Sequence, residues 1–521
     1  MNTLNWAAIS IDENDLDFIY NRLLEEETPM TPAQLTESII AERIKTYNKN
    51  KKETAAQDNN NYRPKNQYKE GDSIVFPKDN GMSGVVTAVR KGINPEFGDF
   101  DVITVEMSDG SVKEYAANLQ DHLLNDYDYD NPDANLTDPA YVNKKFGRRI
   151  SQKLSEQLHK NKELVRIGHF WFPQALLSEV NLGFLNLAEA VLEMEEGRPL
   201  LTSEIMEQIE YPMDSNSELS EFSFNYALHQ DDRFAEVGPH DKILWTLKEM
   251  QPEDVRKTPM TLKCSEDILA LNNDDGVELP LENIQDELDA AELAEPLEVS
   301  DTFTACISYP HWKAGTLPLI GAVRPIFPTA NETDNVVFTF HDKKTDETFP
   351  GWVILSKNYV CGLKQWYRSN GIIPGSMFNV SAGSEPGTID IELIPPRVSK
   401  DWVRGIAIDE KNHFSFITKQ YKITTEFDDR LVVHVENDPK LDTFWEFNNR
   451  KEANFLKQID NVFREIAKDS PQGIVQFNEI YAGVNMLRRV PPKALYNILE
   501  NMEKYQHVDR MTYKYEEKDE A

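Results

Sequence analysis

The sequence predicts a multidomain α+β protein built from a repeated helix–helix–helix–wing unit. A small β-barrel is inserted near the start, and a β-rich domain fills the second half. Three observations lead there. A grammar of three helices and an aromatic-rich hairpin recurs at constant offsets. Short strands bounded by turn signals fill 70–119 and again 300–446. The chain has 521 residues, 40% of them hydrophobic, which is enough for about three to five cores.

The net charge of −34 argues against a protein that coats nucleic acid over its whole surface. It favours a local basic contact in an acidic body, or a partner with a basic surface. No run of about 18 apolar residues occurs. The start, MNTLNWAAISIDEND, has no positive n-region and no long h-region, so no secretion signal is expected. Cys264, Cys306 and Cys361 are too few and too scattered for a disulfide framework or a zinc site, which points to a reducing, cytoplasmic setting.

Taken in order, 1–45 reads as two helices. The first runs from about Asp15 to Glu26, and the second opens at Thr31-Pro32-Ala33-Gln34, a capping box with proline at its first helical position. Leu35, Ile39 and Ile40 form its apolar face. Residues 46–69 are Asn- and Lys-rich without periodicity and read as a flexible linker. Residues 70–120 carry strands Ser73–Phe76, Gly84–Lys91, Phe100–Met107 and Val112–Ala116, with Asp109-Gly110 as a hairpin turn. Strands this short suggest a small closed barrel, similar to those of KOW or Tudor type. In 121–143 the run DYDYDNPD opens like a calcium loop at Asp126. Asn131 replaces the glycine and Thr137 the bidentate glutamate, so an acidic linker is the better reading.

Residues 144–180 complete the first unit and hold its most basic stretch. Lys144, Lys145, Arg148, Arg149, Lys153, Lys160, Lys162 and Arg166 face only Glu156 and Glu163. Ile150, Leu154 and Leu158 recur at spacing four and form a buried stripe. Arg149, Lys153 and Lys160 fall within about 40° on another face. The alternating run Leu164–Phe172 fits a wing. A basic helix followed by a wing is the working half of a winged helix, where the helix enters the major groove and cations hold phosphates.

The unit then starts again. Pro199-Leu200, Ile205 and Ile209 match Pro29-Met30, Leu35 and Ile39 at an offset of 170. Phe224, Leu228, His229 and Phe234 match Leu154, Leu158, His159 and Leu164 at an offset of 70. Val237-Gly238 matches Ile167-Gly168, and Leu244-Trp245 matches Phe170-Trp171. The first copy is therefore split, 1–45 with 144–180, and the second, 182–250, is compact. FLNLAEAVLEMEEGRPLLTSEIMEQI with LHQDDRFAEVGPHDKILWTL resembles the HARE-HTH family of winged-helix modules, as in the N-terminal domain of the bacterial RNA polymerase delta subunit. The resemblance rests on Gly197-Arg198-Pro199, Glu204-Ile205, Asp231, Arg233-Phe234, Val237-Gly238 and Trp245. It implies a winged-helix fold and a place among transcription, chromatin or restriction-associated proteins. The second copy carries Leu219, Ser223 and Gln230 where the first has Arg149, Lys153 and Lys160, so it reads as a protein-binding or structural copy.

Residues 264–299 hold twelve acidic residues and no basic ones, an acidic linker or an arm that covers the basic patch in cis. Residues 300–446 alternate as strands, with Trp352, Trp366 and Tyr367 as core. A β-barrel is expected there, a pseudobarrel being one form of it, with Arg397, Lys400 and Arg404 as its basic cluster. Residues 450–516 repeat the winged-helix grammar, and Arg488, Arg489 and Lys493 at the junction of its second and third helices are a candidate second phosphate contact.

No Walker A sequence, dinucleotide glycine pattern, HExxH, GxSxG or CxxC pair occurs, and the ten histidines are dispersed. Asp390 and Glu392 approach a nuclease pattern, but the following lysine is missing. A non-enzymatic, transcription-related protein without cofactor or metal is expected, contacting duplex DNA through 144–172 and protein partners through its other modules. The rival expectations are an acidic interaction scaffold on RNA polymerase and an accessory subunit of a restriction or defence system.

Overall fold

The computed structural model describes residues 5–57, 61–76, 82–94, 99–122, 125, 134–212, 216–240, 242–271, 283–289, 301–330, 333–397, 400–410, 413–436, 438–449 and 455–516. The Asp126–Asn131 stretch lies outside them. The fold is multidomain α+β, in two compact units: residues 1–166 with 170–177, and 167–169 with 178–521. No helix among the described residues is long and apolar enough to cross a membrane.

In the first unit, α1 (Glu13–Glu26) starts at a capping box in which Asp12 and Asp15 each accept the other's backbone N–H. Ile19 and Leu23 bury its inner face. The capping box read at Thr31 and Gln34 is present: Thr31 N–H donates to Gln34 Oε1 at 2.8 Å, and Gln34 N–H to Thr31 Oγ1 at 3.2 Å. It opens α2 (Pro32–Gln57), with Leu35, Ile39 and Ile40 buried. This helix runs on through half of the expected 46–69 linker. The Asn, Lys, Glu, Thr, Ala and Gln residues that follow Tyr47 include no Gly or Pro, so the helix meets no breaker.

The inserted sheet is an antiparallel meander of β1 (Ser73–Phe76), β2 (Met82–Lys91), β3 (Asp101–Met107) and β4 (Val112–Ala117), in that order. Residues 61–68 belong to it, not to a linker. Tyr62 N–H donates to Val75 O beside β1, and Leu119 N–H to Pro64 O beyond β4, so the segment joins the two edges. Tyr62 fills the centre with Ile74, Phe76, Val86, Ile103 and Val105.

α3 (Pro139–Leu158) begins inside the expected 121–143 linker, because Asp138 caps it and Pro139 suits its first turn. β5 (Leu164–Ile167) and β6 (Phe170–Pro173) form the hairpin that follows, and Met30 pairs with Trp171 of β6.

The second unit opens on the compact copy: α4 (Leu182–Met194), β7 (Leu200–Leu201), α5 (Thr202–Gln208), α6 (Ser217–Gln230), β8 (Phe234–Glu236) and β9 (Leu244–Leu247). Here Leu200 pairs with Trp245, the positions equivalent to Met30, at the offset of 170, and to Trp171, after a four-residue insertion in the hairpin. The quoted motif residues are structural. Arg233 binds Asp231 at 2.7 Å and Glu189 of α4, and Asn225 Oδ1 accepts from Trp245 Nε1 at 2.7 Å and from Thr202 Oγ1 at 2.5 Å. Gly238 is required by space, since a Cβ there would lie 1.9 Å from Lys242 O.

Short helices α7 (Glu253–Arg256) and α8 (Glu266–Leu269) lead on to β10 (Thr302–Cys306), α9 (Tyr309–Ala314), β11 (Thr316–Pro318), β12 (Asn335–Asp342), β13 (Glu347–Ile354), β14 (Tyr359–Cys361), α10 (Lys364–Ser369), β15 (Met377–Ala382) and β16 (Thr388–Leu393). These strands form a nearly closed seven-stranded barrel in the order β10-β15-β16-β12-β13-β14-β11, with β12 and β16 parallel. Its interior is solid: Phe338, Phe340, Phe378 and Val380 pack on Trp366 and Tyr367 of α10. The expected 300–446 domain is in fact two sheets. β17 (Asp401–Ile408), β18 (Phe414–Tyr421) and β19 (Val433–Val435) form a separate one.

After α11 (Asp438–Asn449) the third copy follows: α12 (Phe455–Ala467), β20 (Ile474–Gln476), α13 (Phe477–Asn485), α14 (Pro492–Asn501), β21 (Tyr505–Asp509) and β22 (Thr512–Tyr515). The unit closes on a hairpin of β21 and β22. Its sheet order, β20-β22-β21, reproduces β7-β9-β8. The third copy is not a separate globule, because Tyr309, Ile406, Phe416, Val433 and Trp445 share one core with Ile459, Phe463, Ile480 and Leu495.

Candidate nucleic-acid interface

α3 is pinned by its apolar face. Val142, Ile150, Leu154 and Leu158 are buried. Trp6 and Ile9 join Ile40, Ile44, Val142 and Ile150 in one cluster, and Trp6 Nε1 donates to Leu136 O at 2.9 Å. This packing turns the opposite face outward. Lys144, Lys145, Arg148 and Arg149 occupy about 140° of that face, and all four are exposed. Lys145 lies 5.6 and 5.4 Å from the ring centres of Tyr141 and Phe146. Lys144, Arg148 and Arg149 make no ion pair among the described residues. The Lys144–Arg148 and Lys145–Arg149 spacings each place like charges one turn apart, which costs a helix about 0.2–0.5 kcal/mol per pair. Of the four, Lys145 also donates to the Tyr141 hydroxyl at 3.3 Å.

Four of the expected contact residues lie differently. Lys153 is half-buried, and its ammonium donates to the Ile9 carbonyl at 2.5 Å, holding the N-terminal segment on the helix. Arg166 is half-buried, 5.8 Å from the centre of the Trp171 ring. Lys160 and Lys162 are exposed, but in the turn between α3 and β5 and not along the hairpin. That hairpin closes tightly at Gly168-His169, with Gly168 at φ +60°.

The second candidate cluster is overturned. Arg489 is 1% exposed, and its guanidinium grips the two oxygens of Asp286 at 2.7 and 2.6 Å and Glu287 at 2.9 Å. Arg488 is also buried, and the Lys493 N–H donates to Asp289 at 2.9 Å. No phosphate from solvent reaches Arg489 in this fold. Burial pushes the Glu287 carboxyl up, but Arg489 and His311 outweigh it and hold it at about 2. His311 Nε2 lies 2.7 Å from Glu287, and its Nδ1 lies 2.8 Å from Thr316 Oγ1. The partners Asp286, Glu287 and His311 are missing from the sequence reading, which placed both acids in a linker.

Elsewhere in the second unit, Arg404 pairs with Glu479 at 2.6 Å and Arg397 with Glu426 at 3.1 Å, so that basic cluster is largely neutralised. Asp390 meets His341 Nδ1 at 2.9 Å and Lys343 at 3.4 Å, an ion-pair group on the barrel surface. No group of three or more His, Cys, Asp or Glu side chains that could hold a metal ion occurs among the described residues.

No family model, curated protein or solved structure matches the chain.

Proposed function

We propose that this is a non-enzymatic, DNA-associated regulatory protein that contacts duplex DNA through the outward face of α3. The observation that supports it is a set of exposed cations, three of them without an ion pair among the described residues, on the third helix of a winged-helix unit, in a chain of net charge −34. The third helix is the one that such units place in the major groove. Lys144, Lys145, Arg148 and Arg149 are the principal contacts, with Lys160 and Lys162 reaching the flanking phosphates. The remaining copies and the barrel take protein partners. With three free thiols, the cytoplasm is the proposed setting.

Fluorescence anisotropy of the full chain on a random duplex across a salt series tests this. Binding should weaken as salt rises, and Arg148→Glu/Arg149→Glu should abolish it or lower the log–log salt slope by roughly two. Salt-independent binding, or binding indifferent to that double change, would favour the interaction-scaffold reading.

A further inference from the structure

Residues 283–289, Asn-Ile-Gln-Asp-Glu-Leu-Asp, are bound by the second unit side chain by side chain. Ile284 sits in the core shared by α12–α14 and the 401–435 sheet. The carboxamide of Gln285 lies along the outer edge of β10: its Oε1 accepts from Cys306 N–H at 3.0 Å and its Nε2 donates to Thr304 O at 2.9 Å. β10 is an end strand of the barrel sheet, and these two bonds are those a further strand would make there. Asp286 takes both arms of Arg489 and the hydroxyl of Tyr481, the latter at 2.6 Å. Glu287 lies between Arg489 and His311. Asp289 accepts from the Lys493 N–H in the first turn of α14, where a helix favours an anion. A tether needs only to reach. Here five of seven consecutive residues each have a dedicated receptor group, supplied by both the barrel and the third winged-helix copy.

We infer that the cleft between β10, α9, α13 and α14 is a receptor for an acidic peptide of the pattern Ile-Gln-Asp-Glu-x-Asp, filled in cis by this chain's own segment. The specificity lies in the Arg489 fork, which matches a carboxylate with two parallel bonds, and in the β10 edge, which takes a carboxamide. The carboxylates sit where an acidic segment of a partner protein would place its own. This reading is independent of DNA contact by α3.

The test uses the full chain with its own segment neutralised, Asp286→Asn/Glu287→Gln/Asp289→Asn, and a fluorescent peptide of residues 281–291. The neutralised chain should bind the peptide saturably, and the wild-type chain, already filled, at least tenfold more weakly. A peptide carrying Asp286→Asn should lose roughly hundredfold or more in affinity, as expected when one partner of a buried charge pair is removed. This last arm changes the ligand and leaves the protein intact. If the triple change unfolds the chain, the single Asp286→Asn chain serves in its place. A folded, neutralised chain that binds no peptide would overturn the proposal. So would equal binding by the wild-type and neutralised chains, or indifference to the peptide's Asp286→Asn change.

Discussion

The first and third winged-helix copies share one order of elements and one pairing scheme, yet they use their basic residues in opposite ways. In both, the segment after the first helix pairs with the last strand of the hairpin: Met30 by a single bridge to Trp171 in one, Val475 of β20 with Tyr513 in the other. In the first copy, Arg148 and Arg149 stand on the outward face of the third helix. In the third copy, Arg489 lies just before that helix and is enclosed by Asp286 and Glu287. The fold is therefore silent about what a cation does. Its surroundings decide, and a charge count along the sequence cannot tell a surface contact from an internal one.

The sharpest way to break this contrast is Arg489→Ala. It strands two buried carboxylates, and removing one partner of a buried pair costs about 3–5 kcal/mol. The second unit should unfold at a clearly lower denaturant midpoint. An unchanged midpoint would mean that the ion pair is not closed in solution. A smaller effect is expected in acid. The folded-state pKa of Glu287 is depressed from 4.5 to about 2, so its contribution is complete above about 4.5 and is lost as pH falls towards about 2. Thermal melts of wild-type and Glu287→Gln chains across that range should show a steeper acid loss in the wild type, and parallel profiles would refute the assignment. The smallest effect belongs to the first copy. Arg148→Ala/Arg149→Ala should change stability by no more than about 0.5 kcal/mol, the range for surface substitutions. A large destabilisation there would show that the outward face has a structural partner after all.

Much of the fold was legible because repetition carries register. The offsets of 170 and 70 align buried positions of both copies: Leu154 with Phe224, Leu158 with Leu228, and Leu164 with Phe234 are buried in every case. The capping box at Thr31 was legible because it is local. The 283–289 segment was not, because Arg489 stands 203 residues from Asp286 and no periodicity reports a partner at that distance. The one signal available was Ile284 and Leu288 interrupting an acidic run with apolar residues at helical spacing. The extension of α2 was missed for the opposite reason. Its second half carries few apolar residues, and a polar helix looks like a linker. Of the basic face, Lys153 was misplaced because helix periodicity fixes the direction of a side chain, whereas the Ile9 carbonyl that captures it comes from a segment 144 residues away.

The sheet inserted between α2 and α3 also sets an order of events. As the chain is synthesised, α1 and α2 emerge with half of their core missing, since Ile40 and Ile44 pack on Val142 and Ile150. The meander pairs neighbouring strands and closes through local contacts, so it can fold while α3 is still unmade. Only afterwards can the last helix dock and Lys153 find Ile9. The basic surface is thus among the last parts of the first unit to take shape, and a premature stop before Pro139 would leave a folded meander and a helical pair with an open apolar face.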